Sequence, residues 1–177
     1  HARKVLRDPQ EFYRPSSLLF AKRIFHMACA LLSAPYPSVH FAKYSYSMHS
    51  YNTYDEIKDA IEADERGLLT EYYRTIAVPS ILASRPQLVG FSVPYFSQLI
   101  PMFILAHMLK ERDPSLHISI GGPVPTWGKH ILACDPRFGQ WLDSVAIGEA
   151  DQTFLELVES LNGRGERDQV RNFLHYV

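Results

Sequence analysis

Cysteine is scarce: the 177 residues hold two, Cys29 and Cys134, far apart along the chain. Two thiols cannot build a four-thiolate cluster or a thiolate zinc site by themselves, and they argue against a secreted disulfide scaffold. An excess of one charge is missing too. Lys and Arg number 18 against 19 Asp and Glu, a formal net charge of -1, so no overall positive field exists to hold a nucleic-acid backbone or an anionic surface. There is no long hydrophobic run. The most apolar window, residues 18–33, is broken by Lys22, Arg23 and His26 and falls short of the roughly 20 apolar residues a membrane span needs. Neither G-x-G-x-x-G nor a Walker lysine loop occurs, which removes the usual motifs for dinucleotides and ATP. With no signal-peptide pattern, internal repeat or low-complexity tract, the expectation is a soluble, cytosolic chain. Its first residue, His1, reads as that of a fragment or a tag remnant.

What is present is an ordinary globular composition, 46% hydrophobic and 21% charged, enough for one well-packed domain. Helical and strand periodicities alternate from about residue 16 onward, with short Pro/Gly breaks, which is the pattern of α/β layering. The spacing predicts a helix after Pro15-Ser16-Ser17 running to Ser33, a strand over Val39 to Met48, and a helix with Tyr54, Ile57, Ala60 and Ile61 on one face. A further helix follows over Leu68 to Ser84, kinked or ended by Pro79. Strands are expected at Leu88 to Val93, Leu116 to Ile120 and Asp143 to Ile147, with helices at Phe96 to Lys110, Thr126 to Cys134 and Asp151 to Leu161. Asp151 is expected to cap the last of these. Val170 to Val177 reads as a strand or a linker. The resulting fold class is a Rossmann-like open parallel sheet flanked by helices, three-layer α/β/α. Residues 1–35 form an N-terminal extension and first helix, and 36–177 form the Rossmann-like domain.

In such a sheet, ligands bind beyond the carboxyl ends of the strands. Three loops lie there: Ser92-Val93-Pro94-Tyr95, Gly121-Gly122-Pro123 and Gly148-Glu149-Ala150-Asp151. Two glycines directly after a buried strand let the backbone approach a bulky ligand, and the helix behind them is expected to offer free N–H groups to a nucleotide-like phosphate. A tight turn without ligand is the plainer alternative.

The 26 residues between Ser92-Val93-Pro94 and Gly121-Gly122, together with Gly-Phe-Ser-Val-Pro-Tyr at 90–95, Ile-Gly-Gly-Pro at 120–123 and Asp143-Ser144-Val145-Ala146-Ile147-Gly148-Glu149 leading into Thr153-Phe154, resemble the N-terminal cobalamin-binding domain of radical S-adenosylmethionine enzymes. The resemblance covers roughly residues 75–177. It implies that the nucleotide tail of cobalamin lies along Ser92, Val93 and the Gly121-Gly122-Pro123 loop. Pro94 and Tyr95 would pack the corrin edge, and Gly148 and Glu149 would border the pocket. Pro94 stands where the family's Ser-x-Leu has Leu. The D-x-H-x-x-G motif whose His ligates cobalt in many cobalamin domains is absent, and His49, in Tyr46-Ser47-Met48-His49-Ser50-Tyr51-Asn52, lacks its partners. His49 is read as a non-ligand.

The [4Fe-4S] cluster and S-adenosylmethionine of that group need C-x-x-x-C-x-x-C, which two cysteines cannot supply. The implied partner is a C-terminal radical catalytic domain of the same polypeptide, expected after residue 177, with its small-molecule substrate there. This chain would bind cobalamin and not turn over alone, serving methyl transfer or oxidative cyclisation, on a tetrapyrrole for instance, as in the anaerobic Mg-protoporphyrin IX monomethyl ester oxidative cyclase. The alternative is an α/β docking module that has lost cobalamin. A stand-alone enzyme using Ser92, Glu149 or His49 has no recognisable nucleophile–base spacing behind it.

Weaker constellations read as structure. His26 and Cys29 share a helical face without further ligands, and His107 with Glu111 reads as an exposed polar pair. Glu62, Asp64, Glu65 and Arg66 read as a solvated helix end. Tyr44, Tyr46, Tyr51, Tyr54, Tyr72 and Tyr73 could line a flat pocket, with core packing as the default.

Overall fold

The computed structural model describes residues 1–35, 53–64 and 67–176, and the chain divides into two units, His1–His49 and Ser50–Val177. The predicted strand over 39–48, His49, Tyr44, Tyr46, Tyr51, Glu65 and Arg66 lie outside the described residues.

The first unit is helical. Asp8 accepts from the backbone N–H groups of Gln10 and Glu11 at 2.9 and 3.3 Å, so it caps α2 (Pro9–Phe12) behind α1 (Ala2–Val5). Pro15, which has no N–H to waste, occupies the first turn of α3 (Pro15–Ser33). Glu11 accepts from Arg14 at 2.6 Å and Ser17 at 2.7 Å, tying α2 to that turn. Val5, Ala21 and Cys29 are buried, while most large apolar side chains of α3 are exposed.

The second unit opens with a complete capping box. The Thr53 hydroxyl accepts from Glu56 N–H and the Glu56 carboxylate accepts from Thr53 N–H, both at 3.2 Å, at the start of α4 (Tyr54–Ala63). The segment expected as one kinked helix is α5 (Leu68–Tyr72), a π-helical turn at Tyr73–Ala77 and α6 (Val78–Ala83). Val78 N–H reaches back five residues to Tyr73, and Pro79 has no N–H with which to restore the tighter register. Beyond it run β1 (Leu88–Ser92), a 3₁₀ turn at Phe96–Gln98 and α7 (Leu99–Arg112). Then come β2 (His117–Gly121), α8 (Pro123–Trp127), α9 (Lys129–Cys134), β3 (Ser144–Ala146), α10 (Asp151–Leu161) and β4 (Phe173–His175). Gly128 divides the helix expected over 126–134 in two. Asp151 is the first residue of α10; Ala150 holds the cap position and no side chain caps it.

The strands lie in the order β1-β2-β3-β4. The first two pairs are parallel, and β4 runs antiparallel to β3. The fold is thus a mostly parallel open sheet flanked by helices in three α/β/α layers, and the stretch after Val170 supplies an edge strand. In-register partners share a face, so Val89, Phe91, Ile118, Ile120, Val145 and Leu174 form one side of the sheet. By the right-handed rule for crossovers between parallel neighbours, α7 and the α8–α9 pair are expected on one side of the sheet. The core of the unit includes an aromatic cluster. Tyr54 stacks on Trp141 at 4.8 Å and meets Phe138 edge-on at 5.4 Å, with Phe103 against both Phe138 and Trp141. No helix among the described residues is long and apolar enough to cross a membrane.

Candidate functional site

The loops that follow β1, β2 and β3 are stitched together by their own backbone. Ser92 pairs with Gly121 in register. The next residue, Val93, donates its N–H to Gly121 O at 2.8 Å and accepts from Val124 N–H at 3.2 Å. This clamp explains Gly122: its φ is +104°, and a Cβ there would stand 3.1 Å from both Val93 N and Val93 O. Thr126 supplies the link to the third loop. Its hydroxyl donates to Gly122 O at 2.8 Å and accepts from Gly148 N–H at 2.9 Å, a single side chain holding two loops at a fixed separation.

The same clamp overturns the expected phosphate cradle. Behind the glycines stands a helix of five residues, Pro123–Trp127. Pro123 and Pro125 have no N–H, that of Val124 goes to Val93, and that of Thr126 goes to Gly122. The amide groups that would greet a phosphate are absent or already used.

What the loops do frame is a groove on the face opposite the apolar side of the sheet. Along that face the alternate positions are small: Gly90 and Ser92 on β1, Ser119 and Gly121 on β2, Ser144 and Ala146 on β3. Gly90, Ser92, Ser119, Gly121, Gly122, Ala146 and Gly148 line a groove of about 300 Å³ with Ala150 and Phe154. Phe154 comes from α10, and its Cζ lies 3.4 Å from where a Gly90 Cβ would stand, so the ring sits over the bare backbone of β1. Beyond the groove on the same face, His117 Nε2 and Ser144 Oγ are 2.9 Å apart, both buried.

Of the residues singled out from the sequence, Ser92, Gly121, Gly122 and Gly148 meet in this groove. Val93 is buried and acts as a strut between loops; Pro94, Tyr95, Pro123 and Glu149 are exposed and do not line it. Gly90, Ser119, Ala146, Ala150 and Phe154 are lining residues that the sequence reading did not single out. Their signal is the repeated small-x-small pattern of 90–92, 119–121 and 144–146, which becomes legible only when the strand register is known.

Other expectations resolve outside the groove. Tyr54 belongs to the core, Tyr72 is half exposed against Tyr73, and His107 and Glu111 form an exposed pair at 3.6 Å. Asp64 is not solvated as expected. It is 2% exposed and accepts from the Thr70 hydroxyl at 3.1 Å. Among the described residues, no group of three or more His, Cys, Asp or Glu is placed to hold a metal ion. Further cavities lie elsewhere, among them a charged cleft of about 390 Å³ with Glu62, Arg74, His107 and Arg112 on its walls and an apolar pocket of about 200 Å³ beneath Phe96 and Trp127.

No family model, curated protein or solved structure matches this chain. The groove itself therefore has to test the cofactor that the sequence resemblance implies. Its walls lack side chains where a flat ring would lie, at Gly90 and Gly121, and carry hydroxyls at Ser92 and Ser119. Those features fit a planar base. A whole corrin is too large for the groove and would remain outside it.

Proposed function

We propose that this chain is the cobalamin-binding module of a larger radical S-adenosylmethionine enzyme, holding the cofactor by its nucleotide tail and not catalytic alone. The observation that carries the reading is the convergence of Ser92, Gly121 and Gly148, three residues spread over 57 positions of sequence, on one groove lined by small residues at the strand ends. Cobalamin, when bound, supplies a cobalt centre able to carry a methyl group or change redox state. The residues of this chain do the holding: Ser92 offers its hydroxyl to the tail, Gly121 and Gly148 leave room for it, and Thr126 and Val93 keep the loops from closing or splaying. The iron–sulfur cluster, S-adenosylmethionine and substrate belong to the proposed catalytic domain of the same polypeptide.

The test is a titration of the folded chain with hydroxocobalamin and methylcobalamin, followed by visible spectrum and by heat. Saturable binding with a spectrum lacking an imidazole ligand is expected. A folded chain that leaves both corrinoids free at high concentration overturns the reading.

One observation favours the second reading, a docking module. Tyr95, Phe96 and Trp127 are 68%, 61% and 68% exposed, and Phe96 and Trp127 lie 6.1 Å apart over the apolar pocket. Exposed aromatics of this kind suit a protein partner, and that reading predicts that Trp127→Ala weakens association with the catalytic domain while corrinoids go unbound.

A further inference from the structure

The near-neutral charge of the whole chain conceals an uneven distribution. Residues 1–35 carry Arg3, Lys4, Arg7, Arg14, Lys22 and Arg23 against Asp8 and Glu11, which leaves 12 of the 18 Lys and Arg against 17 of the 19 Asp and Glu for the rest of the chain. Among the described residues Arg14 alone of those six cations has an ion pair, with Glu11. Arg3, Lys4 and Arg7 stand exposed on the walls of one groove of about 710 Å³, which His1 and Asp8 complete. Asp8 is already engaged as the cap of α2, so three cations face a single carboxylate and the groove is locally positive.

This groove borders an apolar stripe. On α3, Phe20, Ile24, Met27 and Leu31 recur at helical spacing and are 49%, 40%, 61% and 75% exposed. At about 100° per residue, Arg23 stands on one flank of the stripe, and Ala21, buried within the unit, stands on the other. The His1 ring lies 6.0 Å from that of Phe20, which sets the basic end of α1 beside the start of the stripe. Along the helix axis the stripe runs for about 16 Å.

Apolar side chains held in water in a row are costly unless something covers them, and the cations beside them select what that is. A nucleic-acid backbone would meet Arg3, Lys4 and Arg7 and leave the stripe in water. A second copy of the chain would bring the same cations against these. A surface that offers anionic groups in one plane, with hydrocarbon directly beneath it, meets both features. We propose that the first unit is a peripheral membrane-binding element, α3 lying in the plane of an anionic lipid surface with the Phe20 to Leu31 stripe in the acyl boundary, and Arg23 and the cations of the α1 groove at the headgroups. This is attachment to a surface and not a span, and it does not depend on what fills the groove at the strand ends.

The experiment sediments the full chain with vesicles of phosphatidylcholine alone and with vesicles that also contain phosphatidylserine. Binding to the anionic vesicles is expected, weakening as salt is raised, with affinity for the neutral vesicles lower by about tenfold or more. Replacing Arg3, Lys4 and Arg7 together by alanine is expected to weaken anionic binding by about fivefold for each charge removed. Leu31→Asp, at an exposed position, is expected to abolish it, and Lys129→Ala, in the second unit, to leave it unchanged. Circular dichroism and melting curves check that each variant is folded. Equal binding to both kinds of vesicle overturns the proposal, as do binding that survives Leu31→Asp, a loss with Lys129→Ala as large as that of the triple variant, and no binding to either vesicle. A chain that dimerises in sedimentation equilibrium, is made monomeric by Leu31→Asp and leaves vesicles unbound would assign the stripe to a second copy and overturn it too.

Discussion

Gly122 and Gly90 are both glycines of the candidate site, but for opposite reasons. Gly122 is required by backbone: its φ is +104° and Val93 occupies the space a Cβ would need. Gly122→Ala is therefore expected to lower stability by about 1–3 kcal/mol, measured by urea unfolding, whatever binds nearby. Gly90 is different, with no positive φ and only an ordinary 3.4 Å contact with Phe154 for an added Cβ. Gly90→Ala, whose Cβ just reaches that contact, should keep the fold within about 1 kcal/mol while narrowing the groove against Phe154 and weakening cobalamin binding; unchanged affinity in the folded variant would remove the groove from the site. The sequence pointed to the Gly-Gly pair because glycine doublets after strands are visible without a fold. Gly90 was hidden because its neighbour Phe154 lies 64 positions away, a proximity that only tertiary structure creates.

At the scale of elements, the three loops depend on a helix of five residues. Thr126 sits on α8 and bonds both to Gly122 O and from Gly148 N–H. Thr126→Val keeps the shape and removes both bonds, leaving a donor and an acceptor to find water or remain unpaired. A loss of about 1–2 kcal/mol in stability and faster amide hydrogen exchange at Gly148 are expected, and unchanged exchange would show that the third loop is fixed by other contacts. Element type was legible wherever apolar periodicity was long, as in α3, α4, α7 and α10. What escaped was local chemistry. The end of α4 read as a solvated charge cluster because Asp64 follows Glu62 in sequence, whereas Thr70 turns back to bond it. Asp151 read as a cap because its type is right and its position is wrong by one residue. The phosphate cradle read from Gly-Gly ignored Pro123 and Pro125, whose missing N–H groups were in the sequence from the start.

Across the whole of the second unit, one side chain joins segments 82 positions apart. Arg137 bonds Asp55 at 2.8 Å and Asp135 at 2.7 Å, and its guanidinium lies 4.2 Å over the Tyr54 ring. The hydrogen bonds from Arg137 hold the Asp135 carboxyl below the usual range. A lowered carboxyl contributes stability that is fully present above its unfolded pKa of about 3.9 and is lost as pH falls through the folded value. Asp135→Asn should therefore melt below wild type by a constant margin above about pH 5, and the margin should shrink towards pH 2. A margin independent of pH would mean that the carboxylate charge does not matter. The layered α/β architecture was readable from the alternation of elements, but the antiparallel direction of β4 was not, since three residues at a sheet edge carry no directional signal. The strand order has its own consequence for synthesis. In β1-β2-β3-β4 every strand lies beside its predecessor in the chain, so each one leaving the ribosome finds the edge it needs already made. Among the described residues no later strand is inserted between two earlier ones, and the sheet of β1 to β4 can grow in a single direction at the pace of translation.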